Sequence, residues 1–335
     1  MRSERNLFLG TVFALGAGAL WGLVFLSPKI AGDFSPLQLS AARYLAYGVL
    51  AAALLLPRWG MIAKAVGKAE WIGLVRLSLC GNIIYYLFLA ASVQMAGVAA
   101  ASLILGCVPV VVTLVGSRES DAVPLRDLVP SLVLAVAGVG LIGWEALSAG
   151  AHASASASGA GESGVGEQML GILFGFVALA AWSAYVVGNS RWLVRLSHIS
   201  SHEWSLLTGV VTGALALVLT VAALIVSDGD HGTADWVRFW GISLAVALGA
   251  SVIGNGLWNR ASRQLPLTMM GQMIIFETLF ALLYGFLWEG RWPTPLEWVA
   301  CVCLVAGVLW CANIHGRKKR ALARKSLAAQ PSAAE

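Results

Sequence analysis

A chain of 335 residues that is 59% hydrophobic and only 12% charged is not built for water. Soluble domains carry about 25% charged residues, and the mean hydropathy of +0.79 makes the bilayer the solvent. In such a chain the net charge of +5 is a signal of membrane topology and gives no argument for a nucleic-acid partner.

A spanning helix needs roughly 20 apolar residues. Ten segments qualify in chain order: Leu7–Leu26, Leu37–Leu56, Trp71–Val93, Val98–Gly116, Leu128–Leu147, Met169–Leu193, Trp204–Val226, Trp240–Trp258, Leu267–Leu287 and Leu296–Ile314. Helices are expected because a spanning segment must satisfy its own backbone groups, and no ten-residue barrel alternation is visible. The first segment follows Arg2 and Arg5 and lacks a small-residue cleavage site, so it reads as a retained helix and not a signal peptide. Residues 1–147 hold five spans and residues 169–315 hold five more. Between them, 148–168 is rich in Ala, Ser and Gly, has no Lys or Arg, and reads as an external flexible linker. Residues 316–335 form a basic tail. With the N-terminus in the cytoplasm, the inner segments carry 17 Lys and Arg residues, and the outer loops carry only Lys29, Arg238 and Arg291. That bias places both termini in the cytoplasm.

The halves repeat. Leu9, Gly10, Phe13, Ala17, Ala19 and Trp21 recur as Leu170, Gly171, Phe174, Ala178, Ala180 and Trp182, all at an offset of 161. Ala91, Ser92 and Gln94 recur as Ala261, Ser262 and Gln264, and Val136–Val139 as Val305–Val308. Five spans per half is odd, so the second half enters the bilayer upside down. The expected fold is an all-α polytopic membrane protein of ten transmembrane helices in two inverted five-helix repeats. Inverted repeats of this kind build secondary transporters.

Candidate site residues lie at mid-depth. Asn82, Tyr85 and Tyr86 sit at i, i+3 and i+4 in the third span, and Asn255, Trp258 and Asn259 repeat that spacing in the eighth. The two stripes, offset by 173, would line one central cavity suited to a small zwitterionic or aromatic solute. An amide inside a bundle also serves as interhelical glue, and the duplication favours the cavity. Trp21 and Trp182, with Tyr185 one turn on, either line that cavity or belt the interface. Glu277 is the one carboxylate deep in a span, where an ionisable group faces the interior or water. It would bind a substrate amine, accept a proton, pair with a base or hold a structural hydrogen bond. Arg43 either snorkels outward or holds a substrate carboxylate. The small-residue pairs Gly18/Gly22, Gly171/Gly175 and Gly209/Gly213 predict close helix approach.

Several chemistries have no sequence support. There is no GxxxxGK[ST], HExxH or GxSxG pattern. The five histidines fall in loops or at span ends, and the five cysteines read as free packing residues. No cofactor, metal or catalytic group is expected.

Gly18-Ala19-Leu20-Trp21-Gly22, Ser35-Pro36 with Arg43, and the run Phe276-Glu277-Thr278-Leu279-Phe280 through Trp288-Glu289 resemble the drug/metabolite transporter superfamily in its ten-helix EamA-type branch. Such proteins usually have Glu-Pro where this chain has Glu277-Thr278. The resemblance implies an inner-membrane carrier of small organic metabolites working by alternating access. The aromatic, two-asparagine interior looks most like the amino-acid exporters, including the aromatic type, and export is implied by the resemblance alone. The expected partners are a small-molecule solute and the lipid bilayer, with the chain a monomer. The rival readings are another metabolite or drug as cargo, a non-transporting scaffold or lipid-interacting protein, and, weakest, an intramembrane enzyme.

Overall fold

The structure, a computed structural model, describes residues 6–31, 34–96, 101, 104–119, 122–156, 165–196, 198–226 and 231–328. Every regular element among them is helical. Helix α1 (Leu7–Gly22) passes through a tighter turn, Leu23–Leu26, into α2 (Ser27–Ala31). Then come α3 (Pro36–Leu55), α4 (Trp59–Ala65), α5 (Lys68–Ser78), α6 (Tyr85–Ala96), α7 (Val108–Gly116) and α8 (Leu125–Ser156). The second half holds α9 (Val165–Arg195), α10 (Ser201–Val226), α11 (Thr233–Val246), α12 (Asn255–Gln264), α13 (Leu267–Met273), α14 (Ile275–Glu289) and α15 (Pro295–Ala328). Among the described residues, eight helical stretches are long and apolar enough to cross a bilayer, and the 16-residue α1 is a shorter apolar helix. The expected fourth span, 98–116, falls partly outside the described residues, and α7 is its described end.

Local chemistry sets several helix ends. Ser35 Oγ accepts from the Gln38 amide at 3.2 Å, and Gln38 Oε1 accepts from the Ser35 amide at 2.8 Å. With Pro36 in the first turn, this reciprocal cap starts α3. Gly290 ends α14 with a left-handed φ of 61°, which a glycine adopts without steric cost. Two spans contain π-helical turns, Leu79–Ile84 between α5 and α6 and Ala247–Gly254 between α11 and α12. The ninth expected span is interrupted at Ile274, where the Glu277 amide donates to the Ile274 carbonyl at 3.0 Å.

The expected linker, 148–168, is described only at its two ends. Residues 148–156 continue α8, and α9 already begins at Val165; residues 157–164 lie outside the described residues. Alanine is the strongest helix former, and extending an existing helix avoids the cost of a new nucleus. The tail is likewise helical as far as Ala328.

Helices of one half mate with helices of the other. A Cβ at Gly48 of α3 would lie 2.5 Å from the Gly213 Cα of α10, so the two backbones touch. Gly138 of α8 lies against Leu304 and Ala300 of α15, whereas Gly307 of α15 lies against Ser131 and Ala135 of α8. The later residue of one helix thus meets the earlier residue of the other, so the pair runs antiparallel. The contact is also reciprocal: each helix offers its glycine to the equivalent stretch of its mate. The opening helices cross over in the same way. Gly10 of α1 packs on Gln264 and Leu265 at the end of α12, and Gly171 of α9 packs on Met95 and Ala96 of α6. All three small-residue pairs picked from sequence lie at such seams, with Gly18 and Gly22 pressed on Phe276 and Phe280 of α14.

Candidate functional site

The π-turns decide where the mid-span side chains go. A π-turn adds a residue to the helical circuit, so Asn82, Tyr85 and Tyr86 do not share one face. Asn82 donates through Nδ2 to Thr212 Oγ1 of α10 at 3.0 Å. Tyr85 stacks on Trp182 of α9, with centroids 4.8 Å apart. Tyr86 meets the edge of Tyr44 of α3 at 6.5 Å. The two π-turns begin at Leu79 and Ala247, 168 positions apart, and end at Ile84 and Gly254, 170 apart, the latter the same offset as Ala91-Ser92 and Ala261-Ser262. At that offset Asn255 corresponds to Tyr85, three positions away from its pairing with Asn82 at 173.

The structure brings five of the expected residues into one aromatic cluster. Trp21 meets Trp258 at 5.0 Å and Trp182 at 6.0 Å, and Trp182 stacks on Tyr185 at 5.1 Å and on Tyr85. Two glycines in the π-turns admit these rings. A Cβ at Gly81 would fall 2.4 Å from the Tyr185 ring, and one at Gly254 would fall 2.9 Å from Trp21 Nε1. The indole of Trp21 donates to the Ala250 carbonyl at 3.1 Å, a carbonyl inside the second π-turn. Trp21 and Trp258 are almost fully buried, at 5% and 1% exposure, so neither sits in an interfacial belt. The indole nitrogen of Trp258 has no hydrogen-bond partner among the described residues.

The asparagines of the eighth span go elsewhere. Asn255 hydrogen-bonds the hydroxyl of Tyr47 on α3, and that hydroxyl donates to the Ser205 carbonyl at 2.7 Å. Asn259 accepts from Asn189 Nδ2 of α9 at 2.8 Å, and Asn189 Oδ1 accepts from Trp204 Nε1 at 3.0 Å. Asn259 is therefore tied into a buried interhelical network apart from the ring cluster. Buried amides partnered in this way hold helices together.

The charged residues face the interior. Arg43 donates through Nε to Ser251 Oγ at 3.2 Å and covers the Tyr44 ring at 5.3 Å. It turns across to the second π-turn and does not snorkel. Glu277 is half-buried in the first turn of α14, and its backbone nitrogen lies against Gly18. Its carboxylate makes no hydrogen bond among the described residues, yet its charge is electrostatically coupled to Arg43. Around Arg43 lies a cavity of about 20 Å³ lined by Val24, Ser27, Ser40, Tyr86, Ser243 and neighbouring apolar residues.

Some residues of this interior were missed in the sequence. Ser40 lies three positions before Arg43, hence on the same helix face, a spacing that would have found it. Thr212, Ser243 and Ser251 gave no such signal, because single hydroxyl residues are common in spanning helices. Gln272 is completely buried on α13, and neither amide atom has a partner among the described residues. No disulfide joins the cysteines among the described residues. Among the described residues, no three His, Cys, Asp or Glu side chains come together as a metal site.

The interior can now be set beside known proteins. A curated relative, "Inner membrane protein YtfF" of Escherichia coli (strain K12), is 28% identical over 312 residues, covering 90% of this chain and 94% of that protein. A solved crystal structure superposes over 92% of this chain and 98% of its own with a TM-score of 0.71 at 18% identity, so the two share a fold. The sequence also matches a family of membrane transporters, not enzymes, over residues 8–144 and 169–312. With most of its length so matched, the chain belongs to the EamA-like transporter family.

Proposed function

We propose that this transporter carries amino acids across the inner membrane, outward, by alternating access between two inverted five-helix halves. The observation that carries the reading is the interior where the halves meet. It combines a cluster of stacked indole and phenol rings (Trp21, Trp182, Trp258, Tyr85, Tyr185) with one guanidinium, Arg43, and one carboxylate, Glu277, whose charges feel each other. A zwitterion presents both opposite charges, and flat ring walls give its hydrocarbon part an apolar passage. The antiparallel, reciprocal seams at Gly138 and Gly307, and the crossed packing of α1 and α9, support the inverted arrangement. The two stretches matched to the family, one in each half, agree with a duplicated unit. An inner-membrane location is supported by the curated relative.

Purified protein in liposomes should take up radiolabelled amino acids that compete with one another, at rates well above empty vesicles. Uptake no faster than in empty vesicles across a broad panel would return the chain to the scaffold or other-cargo readings. The charge bias of the loops supports cytoplasmic termini. A fluorescent protein that matures only in the cytoplasm, fused after the C-terminus, should therefore light up. A dark fusion of normal abundance would reverse the orientation.

A further inference from the structure

Two cavities adjoin beside Arg43 and share Ser27, Ile242 and Val246 as walls. The smaller one, about 20 Å³, has room for one water-sized atom. Its polar lining is in want of a partner. Ser40 and Ser243 are 3% and 2% exposed, both line this cavity, and neither hydroxyl finds a hydrogen bond among the described residues. Buried hydroxyls are normally satisfied, and these two, side by side on one small void, can both turn their donors to a ligand oxygen. Arg43 uses only Nε on Ser251, which leaves its Nη donors available, and Tyr86 closes the wall. A guanidinium and two hydroxyls suit a carboxylate oxygen.

The larger cavity is different in kind. It measures about 190 Å³ and is walled by Leu20, Leu23, Leu26, Ile30, Ala245 and their neighbours, with Ser27 as its one hydroxyl. An apolar void of about 150 Å³ accepts a benzene-sized group, so this one has room for a branched aliphatic or aromatic side chain.

We infer that Arg43, Ser40, Ser243 and Tyr86 form the carboxylate end of a substrate site, and that the adjoining cavity between α1 and the α11–α12 span takes the apolar side chain. The ligand class is a compact apolar monocarboxylate, and its leading member is a leucine- or phenylalanine-like amino acid. The choice of an amino acid rests on the proposed function, and the carboxylate geometry does not.

The test uses the full-length protein in detergent, with tritiated L-leucine as the probe. L-Leucine and 4-methylpentanoate, which keeps the carboxylate and lacks the amine, should both displace it. L-Leucinamide, which lacks the carboxylate, should be at least ten-fold weaker. Ser40→Ala with Ser243→Ala should lower leucine affinity about ten-fold and shrink the preference over leucinamide. Gly249→Val should hinder leucine more than alanine, because a Cβ at Gly249 meets only Leu20, at 4.0 Å, and its branches would fill the apolar cavity. The inference is overturned if leucinamide competes as well as leucine, or if Gly249→Val weakens both amino acids alike. It is also overturned if hexadecanoate displaces the probe better than 4-methylpentanoate, which would assign the groove to a lipid. Uptake in liposomes from the same preparation separates this inference from the transport reading. Other amino acids carried without leucine binding would sink the site alone. Leucine bound with no amino acid carried would keep the site and sink the transport reading.

Discussion

A leucine at position 213 should leave little folded protein. Gly213 meets Gly48 backbone to backbone, and a Cβ at either would lie 2.5 Å from the other's Cα. No flexible side chain can swing aside to relieve that contact, so α3 and α10 would have to separate along their length. That seam also carries Tyr47, Ala51 and Gly209, with the Tyr47 hydroxyl bonded to the Ser205 carbonyl. Overpacking a core typically costs ~1–3 kcal/mol, and a clash with rigid backbone belongs at or above the top of that range. Size-exclusion chromatography should show a lost or aggregated peak for Gly213→Leu, and any surviving fraction should melt well below the parent. The matched control is Gly241→Leu, in α11, where an added Cβ meets nothing within 4 Å. Its Tm should stay close to the parent's, since a change on an open surface costs less than about 0.5 kcal/mol. Equal melting of the two variants would show that α3 and α10 do not pack through this seam.

Replacing Glu277 with glutamine should cut amino-acid flux at least ~100-fold, about 2.7 kcal/mol of transition-state stabilisation, and leave the fold intact. The substitution conserves shape. The Glu277 carboxylate makes no hydrogen bond among the described residues, so the amide deprives no protein donor of its partner. What it removes is the charge that feels Arg43 from the first turn after the break at Ile274. An ionisable group kept at that depth without a structural bond is best explained by what passes beside it. If Arg43 and Glu277 grip opposite ends of one solute, the double variant with Arg43→Gln should lose far less than the two single losses combined, because each alone already disturbs the same transport step. Flux within two-fold of the parent, together with a lower Tm, would make Glu277 a structural residue. Reconstituted uptake and a thermal melt on the same preparation decide between the two.

The solvent and the span positions were legible in the sequence because a bilayer demands about 20 apolar residues per crossing, whatever the tertiary contacts. Even so, α1 as a helix is shorter than the segment read from sequence, because its last turns tighten at Leu23–Leu26 before α2. The glycine pairs were legible too, since close approach of backbones tolerates nothing larger. So was the aromatic cluster in part: Trp21, Trp182, Tyr185, Tyr85 and Trp258 were chosen for depth and repetition, and they meet. The asparagine stripes divide in the fold: Asn82 lies inside a π-turn whereas Tyr85 and Tyr86 follow it, and Asn255, Trp258 and Asn259, all within α12, turn to different neighbours. Nothing in Leu79–Ile84 or Ala247–Gly254 announces that turn, because it arises where Gly81 and Gly254 yield to Tyr185 and Trp21 from the opposite half.

The sequence by itself determined a membrane protein of many apolar helices, its biased loop charges, its internal repetition and the residue types available at depth. Each of those follows from composition or spacing along a single helix. Only the tertiary structure decided which helices mate, where Arg43 points, which serines lack a partner, and that Asn259 ties helices together while Trp258 joins the rings. In a lipid solvent both faces of a spanning helix are apolar, so periodicity carries little information about which face meets protein. That choice is made by shape at a few glycines and by polar groups from distant parts of the chain.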